Sequence, residues 1–103
     1  MRIVLTGATG YIGSSVLTAL LARGHDVIAP VRSEASAATA SAAGAMAVVG
    51  DITDADWFTP LLRDADAAIH LAASNAGDWP QFDGAVADSA IAAFAGTGKP
   101  YVH

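Results

Sequence analysis

The chain has 103 residues, no cysteine, and 10 acidic against 5 basic residues, which gives a formal net charge of −5. This length fits a single domain, and the acidic balance argues against nucleic acid or an anionic membrane surface as a partner, since phosphates attract basic patches. The absence of cysteine excludes disulfides and thiolate metal sites. No apolar run reaches the roughly 18 residues of a membrane span, so we expect a soluble, cytoplasmic protein.

The first half of the chain alternates short apolar runs with segments of helical character. Arg2–Thr6 predicts a buried strand. Residues 11–23 predict a helix with one apolar face. That face comprises Ile12, Val16, Leu17, Leu20 and Leu21. Gly24 suits the position after the helix, because glycine adopts the left-handed conformation readily. A second strand is predicted over Asp26–Val31.

The middle of the chain has a weaker apolar pattern. Ser33 is a candidate helix cap, with Glu34 in the first turn. The low-complexity stretch Ala35–Ala47 predicts a short, weakly packed helix or a mobile crossing. Met46–Val49 predicts a third strand.

A third helical segment is predicted over Asp54–Asp64. Thr59 followed by Pro60 is typical of an N-cap and a first helical residue. Leu61 and Leu62 are then expected to face the core.

The last third repeats the same alternation. Ala67–Leu71 predicts a fourth strand and Ala72–Phe82 a loop. A helix is predicted over Asp83–Ala95, and Pro100–His103 begins a fifth strand. The apolar face of that helix comprises Val86, Ala90, Ile91 and Phe94.

This order of elements defines the expected fold class. Regular β-α alternation predicts an α/β protein, with a parallel sheet covered by helices on both faces in three layers. Right-handed crossovers favour a doubly wound sheet with the strand order 3-2-1-4-5. No linker divides residues 1–103, which we expect to form one domain.

The strongest motif lies between the first strand and the first helix, where residues 6–13 read TGATGYIG. Gly7 allows a tight turn out of the strand, Gly10 lets the backbone approach a pyrophosphate, and Gly13 lets the helix pack closely on the strand. The start of the helix then directs free N–H groups and its positive dipole end at the phosphates. The spacing differs from the usual G-x-G-x-x-G, and the alternative is a purely structural turn.

Residues 6–13 resemble the opening of the extended and atypical short-chain dehydrogenase/reductases, which include the NAD(P)-dependent epimerase/dehydratase group. Residues 50–54 (GDITD), 70–73 (HLAA) and 96–100 (GTGKP) resemble the family segments that follow the third strand, end the fourth and precede the fifth. The resemblance covers the whole chain in the right order. It implies a Rossmann domain that binds NAD(P) over residues 1–103.

The residues after the second strand bear on cofactor preference. An acid about 20 residues beyond the glycines would bind the ribose 2′-hydroxyl of NAD, but the strand here ends in Arg32 and Ser33. The planar fork of Arg32 suits a 2′-phosphate, and Ser33 adds a hydroxyl, so NADP is favoured over NAD. The alternatives are a solvated surface arginine and a ribose contact from Glu34.

The resemblance implies further contacts. Asp51 accepts a hydrogen bond from the adenine amino group, with Ile52 beside the ring; alternatively, Asp51 caps the following turn. Small side chains at Ala72 and Ala73 leave room for the ribose, although the chain is alanine-rich throughout. The predicted cofactor-binding residues are Gly7, Gly10, Tyr11, Ile12, Gly13, Arg32, Ser33, Asp51, Ile52, Ala72 and Ala73.

No catalytic or metal-binding residue is predicted. The resembled family uses a Y-x-x-x-K pair, and neither Tyr11 nor Tyr101 is followed by a lysine four residues on. His70 has no partner motif and is interpreted as a packed residue. We therefore expect this chain to be the N-terminal half of a longer reductase or epimerase, inactive alone.

The parent protein is expected to be an oxidoreductase or epimerase/dehydratase acting on a small carbonyl, alcohol or sugar-nucleotide substrate. The alternative is a non-catalytic NAD(P)-binding redox sensor of the atypical branch. A methyltransferase is a weaker alternative, because the glycine spacing is of the phosphate-binding type. Homodimers are common in the resembled family.

Overall fold

The computed structural model describes residues 1–71 and 79–102, with side chains from residue 84 onward in the second range. Strands and helices alternate strictly along these residues. In chain order they are β1 (Arg2–Thr6), α1 (Tyr11–Ala22), β2 (Asp26–Val31), α2 (Glu34–Ala42), β3 (Met46–Val49), α3 (Ala55–Arg63), β4 (Ala67–His70), α4 (Trp79–Phe94) and β5 (Tyr101–Val102).

The five strands form one parallel sheet in the order β3-β2-β1-β4-β5. Strand β1 is central, and its Ile3 lies opposite Val27 of β2 and Ala67 of β4. The chain builds outward from β1 to β3 and then crosses back to β4. This confirms the predicted doubly wound sheet and its strand order.

The core has two parts because successive side chains of a strand point to opposite faces of the sheet. Val4 is buried among α3 and α4, whereas the adjacent Leu5 is buried among α1 and α2. The sheet therefore lies between two helical layers, as the pattern predicts. The α3/α4 side carries the larger side chains, including Phe58, Leu62 and Phe94.

Helix α1 has the predicted bounds to within one residue and packs through a narrower face than predicted. Leu17 is buried and Gly13 lies against the sheet, but Ile12 is 66% exposed. The inclusion of Ile12 in the core face was wrong, because it lies in the first turn at the edge of the sheet. Gly24 follows the helix with φ +82°, as predicted.

Helix α2 is short and weakly packed, which confirms the interpretation of the low-complexity segment. It spans nine residues, of which only Ala40 is buried. Ser33 is its N-cap, and the Ser33 Oγ accepts a hydrogen bond from Ser36 N at 3.1 Å.

Helix α3 confirms the helical segment predicted over Asp54–Asp64, but it begins five residues earlier than the Thr59-Pro60 pair indicated. Asp54 is the N-cap, its Oδ1 accepting from Asp56 N at 3.1 Å, and Pro60 lies inside the helix. The predicted cap at Thr59 was wrong, because burial of Phe58 and Leu62 on one face requires the preceding turn to be helical as well.

Helix α4 begins at Trp79, so the predicted loop was wrong over residues 79–82; residues 72–78 lie outside the described part of the chain. Proline is tolerated in a first helical turn, which is where Pro80 stands. The inclusion of Ile91 in the apolar face was wrong, because its side chain is 66% exposed. Ala93, which was not predicted to be buried, lies on the buried face instead.

Candidate functional site

The carboxyl ends of β1 and β2 open into a crevice of about 220 Å³. In an open α/β sheet, ligands bind at the carboxyl ends of the strands, near the point where the strand order reverses. Here that point lies between β1 and β4, next to the crevice. The crevice is lined by Gly7, Ala8, Thr9, Pro30, Val31, Arg32 and Ser36. A cavity of similar size, about 230 Å³, lies at the opposite edge beside Arg2 and Asp26, away from the strand ends that form ligand sites.

The glycine turn after β1 has the geometry predicted from its spacing. Gly7 has φ +75°, a conformation that L side chains rarely adopt. The Gly10 N–H donates to Gly7 O at 3.0 Å and closes the turn. A Cβ on Gly13 would lie 1.8 Å from Gly7 O, so only glycine allows α1 to start this close to the strand.

The N-terminus of α1 adjoins the crevice. The N-cap is Gly10, which has no side-chain oxygen to occupy the first N–H groups, and the first turn carries no acid. These N–H groups have no partner within the helix, and together with the helix dipole they favour an anion. Tyr11 and Ile12 are 94% and 66% exposed there. The turn therefore fits the pyrophosphate of a dinucleotide, without a Cβ or a carboxylate in the way.

A buried polar contact joins the ends of β1 and β4 beneath the turn. Thr6 Oγ1 lies 2.6 Å from His70 Nδ1 and accepts from Leu71 N at 3.1 Å. Thr6 and His70 are 2% and 1% exposed. This agrees with the interpretation of His70 as a packed residue.

The segment after β2 brings a serine to the crevice that sequence reasoning missed. Ser33 Oγ donates to Ser36 Oγ at 3.2 Å while it caps α2. Ser36, half-buried, lines the crevice beside Arg32, whereas Ser33 is not part of the lining. The S-x-x-S spacing of an N-cap and the third residue of its helix was the available signal.

Asp51 lies opposite Arg32. Its Oδ1 accepts from Thr53 N at 2.9 Å and from Thr53 Oγ1 at 2.6 Å, and its Oδ2 lies 3.8 Å from Arg32 Nη2. The hydrogen bonds from Thr53 lower the pKa of the Asp51 carboxyl, and the Arg32 charge adds to this effect. The turn-capping alternative for Asp51 is thereby confirmed, and its contact with adenine stays a prediction.

The remaining predicted contacts are placed differently. Ile52 is 7% exposed and packs in the core on the α3/α4 side rather than in the lining of the crevice. A Cβ on the neighbouring Gly50 would fall 2.2 Å from the Trp57 ring, so the indole packs against the backbone of this loop. Ala72 and Ala73 lie outside the described residues.

Within the described residues, no group of three His, Asp or Glu side chains is arranged to hold a metal ion. In the same part of the chain, no helix has both the length and the apolar character to cross a bilayer.

The parallel sheet, its strand order and the glycine turn at its centre define a Rossmann-like α/β domain. The chain belongs to the NAD dependent epimerase/dehydratase family, whose profile matches residues 3–92.

Three similar proteins illustrate the range of the family. An uncharacterized protein of Schizosaccharomyces pombe is 43% identical over 72 residues, 70% of this chain and 24% of its own. A 4-hydroxy-2-methyl-3-oxo-4-farnesyl-3,4-dihydroquinoline-1-oxide ketoreductase of Stigmatella aurantiaca is 38% identical over 73 residues, 71% of this chain and 22% of its own. The structure of an NADPH-dependent quinone oxidoreductase from Escherichia coli, complexed with NADPH, superposes with a TM-score of 0.74 at 28% identity, over 88% of this chain and 33% of that one. The chain thus spans about a quarter of the length of the curated relatives that it matches.

Proposed function

We propose that the chain is the dinucleotide-binding part of an NADP(H)-preferring oxidoreductase or epimerase/dehydratase. The observation that carries this proposal is the turn at residues 7–13, where a Cβ on Gly13 would collide with Gly7 O. A turn packed this closely leaves the α1 N–H groups open toward the crevice, which suits a pyrophosphate.

The residues around the crevice have separate roles in this proposal. Gly7, Gly10 and Gly13 shape the turn, and the N–H groups of Tyr11 and Ile12 face the phosphates. Asp51 accepts from the adenine amino group and the backbone at Ile52 adjoins the ring. Ala72 and Ala73 leave space for the ribose. The bound cofactor supplies hydride transfer.

The preference for NADP(H) is supported by the charge at the end of β2. Arg32 is the charged side chain among those lining the crevice, and its side chain is 70% exposed and accessible to a 2′-phosphate. Ser36 adds a hydroxyl beside it, in the role that sequence reasoning gave to Ser33. Glu34 is exposed in the first turn of α2 but is not part of the crevice lining.

The family and its relatives support the proposed substrate class. Small carbonyl, alcohol or sugar-nucleotide substrates suit the ketoreductase and epimerase chemistry for which similar proteins are named. The chain contains no Y-x-x-x-K pair, so we propose that it binds the cofactor without turning over a substrate.

The test is a titration of the purified chain with NADPH and NADH, read as quenching of tryptophan fluorescence. We expect saturable binding of both, with NADPH tighter. Replacing Arg32→Gln should weaken NADPH binding about tenfold, since a charge-assisted bond to the 2′-phosphate is lost, and should leave NADH binding unchanged.

Arg23→Gln is the matched control, because Arg23 is also exposed but lies at the opposite end of α1. It should change neither affinity. Binding of neither nucleotide by a chain with a folded circular dichroism spectrum would refute the proposed function. Equal or tighter NADH binding would refute the NADP(H) preference alone.

A further inference from the structure

The loops that follow β2 and β3 are tied together beside the crevice. The Gly50 N–H donates to Val31 O at 2.9 Å, which continues the pairing of β2 and β3 past the end of β3. One residue further along each loop, the Arg32 guanidinium and the Asp51 carboxylate face each other at 3.8 Å. Backbone pairing therefore sets these two charges opposite each other.

Asp51 is held more firmly than Arg32. Two hydrogen bonds from Thr53 fix its Oδ1, so Oδ2 is the oxygen directed at Arg32. The 3.8 Å separation exceeds hydrogen-bond length, and the Arg32 side chain is 70% exposed. Such a solvated pair is weak, and the guanidinium is free to exchange this partner for another anion.

The same guanidinium lines the crevice. Arg32 shares that lining with Gly7 and Ser36, so a phosphate bound there would reach it from within the site. Carboxylate and phosphate both accept from the planar fork of an arginine. A 2′-phosphate and Asp51 would therefore compete for the same N–H donors, and their negative charges would repel each other.

We propose that Asp51 is a specificity-determining residue that limits the preference for NADP(H) by competing with the 2′-phosphate for Arg32. This inference rests on the proposed function, because it assumes that the crevice binds the adenosine end of the cofactor. The competition is weak, since both side chains are exposed and salt screens them. The competition from Asp51 therefore lowers the preference for NADPH over NADH severalfold without abolishing it.

The test is the variant Asp51→Asn. Dissociation constants for NADPH and NADH are measured for the wild type and the variant. A change in the adenine contact affects both cofactors equally, so it leaves the ratio of the two constants unchanged. At low ionic strength we expect the preference for NADPH to rise about threefold to tenfold. Because the effect is electrostatic, it should shrink below about twofold near 0.5 M salt.

Three comparisons separate the ion pair from other causes. Asp56→Asn removes the same charge from an exposed residue that forms no ion pair within the described part of the chain, and should leave the ratio unchanged. Asp51→Glu keeps the charge but disturbs the turn at Thr53, and should not raise the ratio. In an Arg32→Gln background, the gain from Asp51→Asn should fall below about twofold.

An unchanged or lower preference for NADPH in Asp51→Asn would overturn the inference, as would an equal rise in Asp56→Asn or Asp51→Glu. If the folded wild-type chain binds neither cofactor, the inference and the proposed function fall together. If the wild type prefers NADH, and Asp51→Asn still shifts the ratio toward NADPH, the proposed preference fails and the inference stands.

Discussion

Gly13 lies where α1 packs against the turn that follows β1, and the close packing there depends on its having no side chain. We expect Gly13→Ala to destabilise the fold by about 1–3 kcal/mol, the usual cost of overpacking, because the added Cβ would lie 1.8 Å from the backbone oxygen of Gly7. Neither atom is at the end of a flexible side chain, so the turn itself must shift. Urea denaturation gives the stability, and NADPH titration should show binding reduced at least tenfold.

Gly84→Ala is the control for this substitution. Gly84 also lies inside a helix, but a Cβ there would meet nothing within 4 Å. Alanine should therefore stabilise α4 by up to about 1 kcal/mol through its helix propensity and leave NADPH binding unchanged. A stable Gly13→Ala variant with full affinity would show that the close approach of α1 is dispensable.

Single residues could be predicted from the sequence where one physical requirement selects one residue type. The turn at Gly7 and Gly13 is such a case, because both positions require the absence of a Cβ. The Arg32–Asp51 pair is not, since the two residues are 19 positions apart and meet only through the register of β2 and β3. Ser36 lines the crevice and Ser33 does not. Which of the two serines lies there depends on the rotation of α2 about its axis, and the low-complexity sequence of this helix does not specify that rotation.

At the scale of elements, α3 tolerates a proline in its interior. Pro60 cannot donate to Asp56 O, so the helix lacks one hydrogen bond of its regular pattern. We expect Pro60→Ala to stabilise the protein by about 1–2 kcal/mol: alanine is about 3 kcal/mol better than proline inside a helix, and the greater freedom of the unfolded chain offsets about 1 kcal/mol. Pro60 is exposed, so little packing is lost. Thermal denaturation measures the gain.

Pro100→Ala is the corresponding change outside a helix. Pro100 is exposed and precedes β5, where its carbonyl accepts from Ala68 N at 3.1 Å. Alanine keeps that carbonyl and only increases the freedom of the unfolded chain, so a loss of about 0.4–1 kcal/mol is expected. A loss of stability in Pro60→Ala as well would mean that the N–H restored by alanine gains no stabilising hydrogen bond to Asp56 O.

Helix boundaries were less predictable than strands for a physical reason. The strands are short and largely apolar, and burial on both faces of β1, β2 and β4 leaves little freedom in where each begins. The start of α3 and the start of α4 both depend on whether a proline lies at the first helical position or further inside, and the local sequence allows either. In α3, the packing of Phe58 in the core favours a helix that begins before Pro60.

At the scale of the whole molecule, the buried aromatic side chains of the described residues lie on one side of the sheet. The Cα radius of gyration is 12.6 Å, close to the roughly 13 Å of a compact 100-residue domain. The α1/α2 side of the core is filled by alanine, valine and leucine side chains, whereas the α3/α4 side also holds the aromatic rings of Phe58 and Phe94. The larger side chains bury more apolar area and contribute more free energy.

Burial differs sharply between side chains on the α3/α4 side itself. Leu62 is 0% exposed, and truncating a fully buried leucine costs about 2–5 kcal/mol, since it leaves a cavity. A domain of this size has a total stability of about 5–15 kcal/mol, so Leu62→Ala removes a large share of it. Ile91→Ala deletes a side chain that is 66% exposed on α4 and should change stability by less than about 0.5 kcal/mol. Similar losses in the two variants would mean that the outer face of α4 is covered in solution, and would place a second apolar contact where the described residues leave Ile91 open.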